Sequence, residues 1–404
     1  MNDPGLSRAR TAVAAVFFAN GALFANLVPR YPEIRADLGL SNAALGTAIA
    51  AFPLGALVAG LLAAPLIGRF GSARVATATI VALATALATV SLAASWAALA
   101  AIMFVAGALD AVTDVAMNAH GLRVQRRYGR SIVNSFHGIW SIGAVTGGLM
   151  GAATLALDVS LGAALLTASV LFAVVALVSY RFMLRGRDGV DRGTPAHLSV
   201  RRITSTTLWA LAALGVLAAC GAVVEDAAAS WGALYLQDDL GTAAAAAGLA
   251  FVSFQSAMTL GRLTGDRVVD RFGQRTVVRS GAILAAVAMA LALLLHTPSA
   301  TLIGFALAGL GVATLVPAAM HTGDELPGLP PGVGLTVVSV LLRVGFLASP
   351  PIVGFTADAI SLRAGLLGVV LAGTIVVFFS RVLLQHNPEH AAGASSPGSV
   401  RLPR

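Results

Sequence analysis

Apolar residues run through this chain in twelve stretches, each about the 20 residues that cross a ~30 Å hydrocarbon core as a helix. They cover residues 11–29, 42–66, 75–95, 97–118, 133–155 and 161–183 in the first half of the chain. In the second half they cover 207–231, 243–265, 277–296, 299–320, 333–356 and 362–384. A polar segment from Arg185 to Arg202, carrying Asp188, Asp191, Gly193 and Pro195, separates the two sets of six. The pattern predicts an all-α integral membrane protein. Residues 1–184 and 207–385 form its two helical units, 185–206 a central loop, and 386–404 a tail rich in Pro, Gly, Ala and Ser that is expected to be disordered. Arg8 and Arg10 precede the first stretch as they would in a signal peptide. No convincing small-residue cleavage site follows, so an uncleaved first helix is expected.

A short basic motif sits at the same place in both halves. Arg69-Phe70-Gly71 recurs as Arg271-Phe272-Gly273, 202 residues later in a chain of 404. Each copy lies between the second and third stretches of its set and is followed by further arginine, Arg74 in one case and Arg275 and Arg279 in the other. Repetition at half-length indicates two related units.

Composition excludes a water-facing surface: 57% of residues are hydrophobic and only 11% charged, where soluble domains run near a quarter charged. The net charge of +8 raises the question of nucleic acid. The arginines are scattered between apolar stretches, however, so positive-inside sorting accounts for them and no nucleic-acid partner is expected. With the N-terminus cytoplasmic, twenty-two of the 26 basic residues, all of them arginine, fall on the inner side, including the cluster Arg123, Arg126, Arg127 and Arg130. Only Arg30, Arg35 and Arg363 fall outside, and Arg343 lies within a span. Both termini and both basic turns are thus expected at the cytoplasmic face of a bacterial inner membrane. The single cysteine, Cys220, cannot form an internal disulfide.

Twelve spans, a central loop and a repeated 2–3 turn resemble the major facilitator superfamily, whose loop 2–3 signature runs Gly-x-x-x-Asp-Arg-x-Gly-x-Arg-Arg/Lys. Asp270, Arg271, Gly273 and Arg275 match it in the second half, after Gly261, Arg262, Gly265 and Asp266. Arg69, Gly71 and Arg74 match it in the first, where Gly68 takes the place of the acid and Ala64 that of the first glycine. The resemblance implies two pseudo-symmetric six-helix bundles and an ion-pair latch on the cytoplasmic side. With no acid in the first copy, Asp266 and Asp270 are the better latch candidates. Gly143-Ala144-Val145-Thr146-Gly147-Gly148 resembles the family's antiporter motif without its proline. The segments around Asp114 to Asn118, Ser135 to Trp140, Glu225 to Trp231, and Pro350-Pro351 resemble the fucose-permease-like branch, near the YbjJ-type inner membrane proteins.

Charged residues inside a bilayer cost about 2.5–3.5 kcal/mol each and call for a function. Asp110 and Asp114, four apart, share one face of the fourth helix, which Gly107, Asn118 and Gly121 extend; such a stripe implies a water-filled cavity. Two carboxylates this close repel, which favours one of them carrying a proton. Of the adjacent Glu225 and Asp226, only one can face the cavity, and Glu225 is the choice. Arg343, about ten residues into its span, is expected to pair with Asp110 or Glu225 across the cavity, or to bind an anionic group. His137 and Trp140 share a face of the fifth helix, and Trp140 can stack on a flat ring. Asn20, Asn26 and Gln255 are lesser candidates, with only one of the two asparagines expected at the cavity. Trp231 and Tyr235 are expected as interface anchors.

These features predict a secondary active transporter of a small, sugar-like or drug-like molecule. It works as a monomer by alternating access and is proton-coupled through Asp110, Asp114 or Glu225. The alternative is a non-transporting sensor or scaffold on the same fold. No Gly-x-x-x-x-Gly-Lys stretch exists in a chain without lysine, and the seven histidines are dispersed. Neither a nucleotide, a metal nor another cofactor is expected, nor an enzymatic activity.

Overall fold

A computed structural model describes residues 4–129, 132–186, 204–330 and 332–383. Arg130, most of the central loop and the tail lie outside the described residues. Twelve helical spans run through the rest. The first six are α1 (Gly5–Asp37), α2 (Asn42–Phe70), α3 (Ser72–Leu92), α4 (Trp96–Tyr128), α5 (Val133–Ala156) and α6 (Leu161–Tyr180). The second six are α7 (Ser205–Asp239), α8 (Ala244–Phe272), α9 (Gln274–Leu295), α10 (Pro298–Asp324), α11 (Val333–Ala359) and α12 (Leu362–Val382). Several outrun the apolar stretches that announce them. α4 continues ten residues past Asn118 and α8 seven past Gly265, because a helix keeps its backbone bonds into polar surroundings until a residue stops it.

Different residues stop the chain on the two faces. At the face away from the basic turns, Ser41, Ser95, Ser160, Thr297 and Ser361 each accept a bond from a first-turn backbone N–H of the following span, a cap worth about 1 kcal/mol. At the basic face, glycine does the work. Arg69 and Phe70 are the last helical residues of α2, and the turn is Gly71 alone, at φ 87° and ψ 146°. Gly273 repeats it at φ 79° and ψ 145°. Only glycine enters this region without strain. Each arginine lies over the ring beside it, Arg69 on Phe70 at 5.3 Å and Arg271 on Phe272 at 5.4 Å.

Packing carries the repeat further. α1 lies on α5, α2 on α4, and α3 on α4 and α6; each contact recurs six spans later as α7 on α11, α8 on α10, and α9 on α10 and α12. The two bundles meet along α2–α11 and α5–α8, a pair that the same six-span shift exchanges. Large apolar side chains such as Leu61, Leu294, Ile303 and Phe378 are exposed on the outer surface, where lipid covers them.

The contacts between bundles concentrate at the face opposite the basic turns. Asp358, in the last turn of α11, accepts from the backbone N–H groups of Asn42 (3.0 Å) and Ala43 (2.8 Å) at the start of α2. Arg35 pairs with Asp238 at 2.7 Å. Gly46 and Gly354 leave no room for a side chain between α2 and α11. Trp231 and Tyr235, expected as interface anchors, are instead fully buried; Trp231 reaches the backbone of Gly46 in this seam. The Tyr235 hydroxyl lies 3.1 Å from His296 Nδ1 at the end of α9.

Candidate functional site

Partly exposed polar residues lie within the membrane-spanning helices of both bundles. α4 runs unbroken from its Ser95 cap to Gly129, whose left-handed φ of 74° ends it. Asp110, Asp114 and Asn118 recur every four residues along it and are all half-exposed. Gly107 and Gly121, at the borders of the same face, are buried instead against Phe52 of α2 and Phe136 of α5.

Two short hydrogen-bonded chains hold the carboxylates. Trp140 Nε1 donates to Asn20 Oδ1 at 2.9 Å, and Asn20 Nδ2 donates to Asp110 Oδ1 at 2.8 Å. Asn118 Nδ2 donates to Asp114 Oδ1 at 3.0 Å, while its Oδ1 lies 3.0 Å from His137 Nε2. The first chain depends on a glycine seam. Cβ atoms built on Gly21, Gly143 and Gly147 would come within 2.2–2.3 Å of carbonyl oxygens on the facing helix. α1 and α5 can touch at backbone distance only because these side chains are missing, and that contact brings Asn20 to Trp140. Asn20→Leu should leave the Trp140 donor and one Asp110 oxygen unpaired. At about 0.5–1.5 kcal/mol for each hydrogen bond lost, a thermal melt of the purified protein should show a clear fall.

The second bundle contributes Glu225 and Arg262, 3.8 Å apart and both partly exposed. Asp226 turns away, buried, and accepts from the Ser230 hydroxyl at 2.5 Å. The chain here passes into a π-helical segment, Ala227–Trp231, which re-aims successive side chains. Arg343, half-exposed on α11, lies within electrostatic range of both Asp110 and Asp114. It forms no ion pair among the described residues. The expected pairing with Asp110 or Glu225 is therefore absent among the described residues, and Arg262 on α8 lies beside Glu225 instead.

The lesser candidates lie away from open space. Asn26 is buried at the α1–α5 contact, donating to Gly147 O at 3.5 Å, so both asparagines are buried and only Asn20 reaches a partly exposed carboxylate. Gln255 is buried on α8, and its Nε2 has no hydrogen-bond partner among the described residues. The basic turns bind within their own bundles. Arg74 Nε donates to Tyr180 OH at 3.4 Å, and Arg275 Nη2 to the carbonyls of Arg381 (2.6 Å) and Leu383 (2.9 Å). Asp266 and Asp270 are exposed and take part in no ion pair among the described residues. Asp358 is not legible in the sequence as a contact between bundles, because an acid at the end of an apolar span reads as a surface residue; Arg262 reads there only as part of the loop signature.

The comparisons agree with this architecture. The chain is 28% identical over 348 residues to an uncharacterized MFS-type transporter of Yersinia pestis, covering 86% of this chain and 88% of that one. It is 30% identical over 393 residues to the membrane protein MosC of Rhizobium meliloti, covering 94% and 92%. Its fold superposes with a TM-score of 0.76 on a bacterial homologue of the human lysosomal transporter Spinster, in an inward-facing and occupied conformation. That match is at 16% identity and covers 96% of this chain and all of the other. Residues 13–235 and 211–402 each match the Major Facilitator Superfamily, and the chain belongs to that family of membrane transporters.

Proposed function

We propose that this transporter is a secondary active carrier driven by protons, with Asp110, Asp114 or Glu225 as the proton-carrying group and Arg343 as their charge partner. One observation carries the reading. Two carboxylates on α4, each held by an asparagine and each partly exposed, lie within electrostatic range of a deep arginine that forms no ion pair among the described residues. An unpaired charge at that depth is costly, and a proton arriving at or leaving an acid beside it changes which arrangement of the bundles is favoured. Trp140, fixed by Asn20, offers a flat face to a sugar-like or drug-like ring. The bundles, 1–184 and 207–385, rock about this site while the linker 185–206 joins them. The charge bias of the loops supports a cytoplasmic location for both termini, in a bacterial inner membrane. Arg69, Gly71 and Arg74 with Asp266, Asp270, Arg271, Gly273 and Arg275 serve as the latch of the alternate state. The segments around Asp114, His137 and Glu225, which resemble the fucose-permease-like branch, support a reading on that side of the family.

The test uses right-side-out and inverted vesicles with an imposed pH gradient and a panel of sugars and planar drugs. Asp110→Asn, Asp114→Asn and Glu225→Gln are measured singly. At least one variant should lose gradient-driven movement while keeping its folded yield. Full gradient-driven transport in all three would overturn the assignment.

A further inference from the structure

A basic recess lies at the rim of the second bundle. Arg275, Thr276, Arg279, Ser280 and Ile283 of α9, with Arg381 at the end of α12, line an open recess of about 570 Å³ with no carboxylate among them. Residues 276, 279/280 and 283 fall on one stripe of α9, and 275–279 lie in its first turn and a half, so the recess sits at the end of the span where headgroups lie. A second recess of about 410 Å³ adjoins it, lined by Trp209, Ala213, Phe378, Phe379, Arg381 and Val382. Arg381 belongs to both. Trp209 and Phe378 are largely exposed, and Trp209 packs on Phe379 at 6.0 Å.

The arginines differ in their engagements. Arg275 is spent on the carbonyls of Arg381 and Leu383, which fixes the end of α12 against α9. Arg279 and Arg381 are exposed, and their side chains form no hydrogen bond or ion pair among the described residues. Two free guanidinium groups at headgroup depth, beside an aromatic groove that runs along the bilayer, match an anion with a hydrocarbon tail. We propose that this rim is a specific site for an anionic phospholipid, its phosphodiester held by Arg279 and Arg381 and an acyl chain lying along Trp209 and Phe378. A free phosphate could use the first recess only.

Native mass spectrometry of the purified protein tests this, with phosphatidylglycerol, phosphatidylcholine or inorganic phosphate added at matched phosphorus concentration. Phosphatidylglycerol should be retained well above phosphatidylcholine, and phosphate should compete poorly. R279A/R381A should weaken that retention roughly thirty-fold, about five-fold for each arginine near an anionic headgroup. R126A/R127A, which removes the same charge from the exposed end of α4, should leave it unchanged; gel filtration and melting checks keep misfolding apart from lost binding. Equal retention of both lipids, unchanged retention in R279A/R381A, or displacement by inorganic phosphate alone would each overturn the proposal.

Discussion

Gly354→Leu should leave both bundles folded and still stop transport. A Cβ at Gly354 would stand 2.5 Å from Asn42 O and 3.0 Å from Ala43 Cα; one at Gly46 would stand 2.3 Å from Pro350 O. All of these are backbone atoms that no rotamer change moves aside. The crowding falls between α2 and α11, so the bundles can relieve it by parting at that face. Overpacking costs about 1–3 kcal/mol, and a penalty of that size in one of two states shifts their ratio by roughly 5- to 150-fold. Asp358→Ala should act in the same direction and more weakly. It removes two bonds to the positive end of α2, whereas the Arg35–Asp238 pair at the same rim is partly exposed and contributes about 0–1 kcal/mol. Cysteines placed along the closed seam should react with a membrane-impermeant thiol reagent in Gly354→Leu and stay protected in the parent.

Gly107→Val should act on folding itself. Its Cβ would meet Phe52 O at 1.9 Å and the rest of the Phe52 backbone below 3 Å, at the centre of the α2–α4 contact. Both helices belong to one bundle, so no rocking motion relieves the clash. The cost should be roughly 3 kcal/mol, the upper part of the range for overpacked cores, read as a sharp loss of monodisperse protein and of melting temperature. Gly68→Ala is the contrast. That glycine sits in a helix with nothing within 4 Å of a new Cβ, and the change should stabilise by about 0.5–1 kcal/mol. Equal behaviour of the two variants would show that the α2–α4 distance does not limit the fold.

The fold was legible because the bilayer imposes a length and a polarity that single residues obey. Each of the twelve apolar stretches marks one span, and only the ends differ, where α4 and α8 extend as helices into polar surroundings before Gly129 and Gly273 stop them. The RFG repeat likewise announced a repeated structure down to the same backbone angles. Apolar pattern alone did not reveal which large side chains face lipid. Trp231 and Tyr235 occupy the span end where interface aromatics belong, yet both are buried, Trp231 against Gly46 of the other bundle and Tyr235 against His296 of its own.

Within the site, the sequence disclosed whatever helical periodicity controls. Asp110, Asp114 and Asn118 follow from spacing, and so does the opposition of Glu225 to Asp226. Partners on other helices did not follow. Asn20 reaches Asp110 across 90 residues and Trp140 across 120, through a backbone contact that the glycines permit but do not specify. Arg343 could be read as deep but not as unpaired, since Glu225 had an alternative in Arg262 that depends on how α7 packs against α8.

The most direct test of the account places spin labels on a Cys220→Ala background, one pair across the basic face at Arg127 and Arg267, another across the opposite face at Leu157 and Ile360, all exposed sites. Distances are measured by pulsed electron resonance in acidic and in alkaline buffer. Alternating access driven by the α4 acids predicts that one distance shortens as the other lengthens when the buffer is changed. It also predicts that this exchange vanishes in Asp110→Asn/Asp114→Asn. Distances that stay fixed, that move in the same direction, or that respond to pH unchanged in the double variant would contradict it.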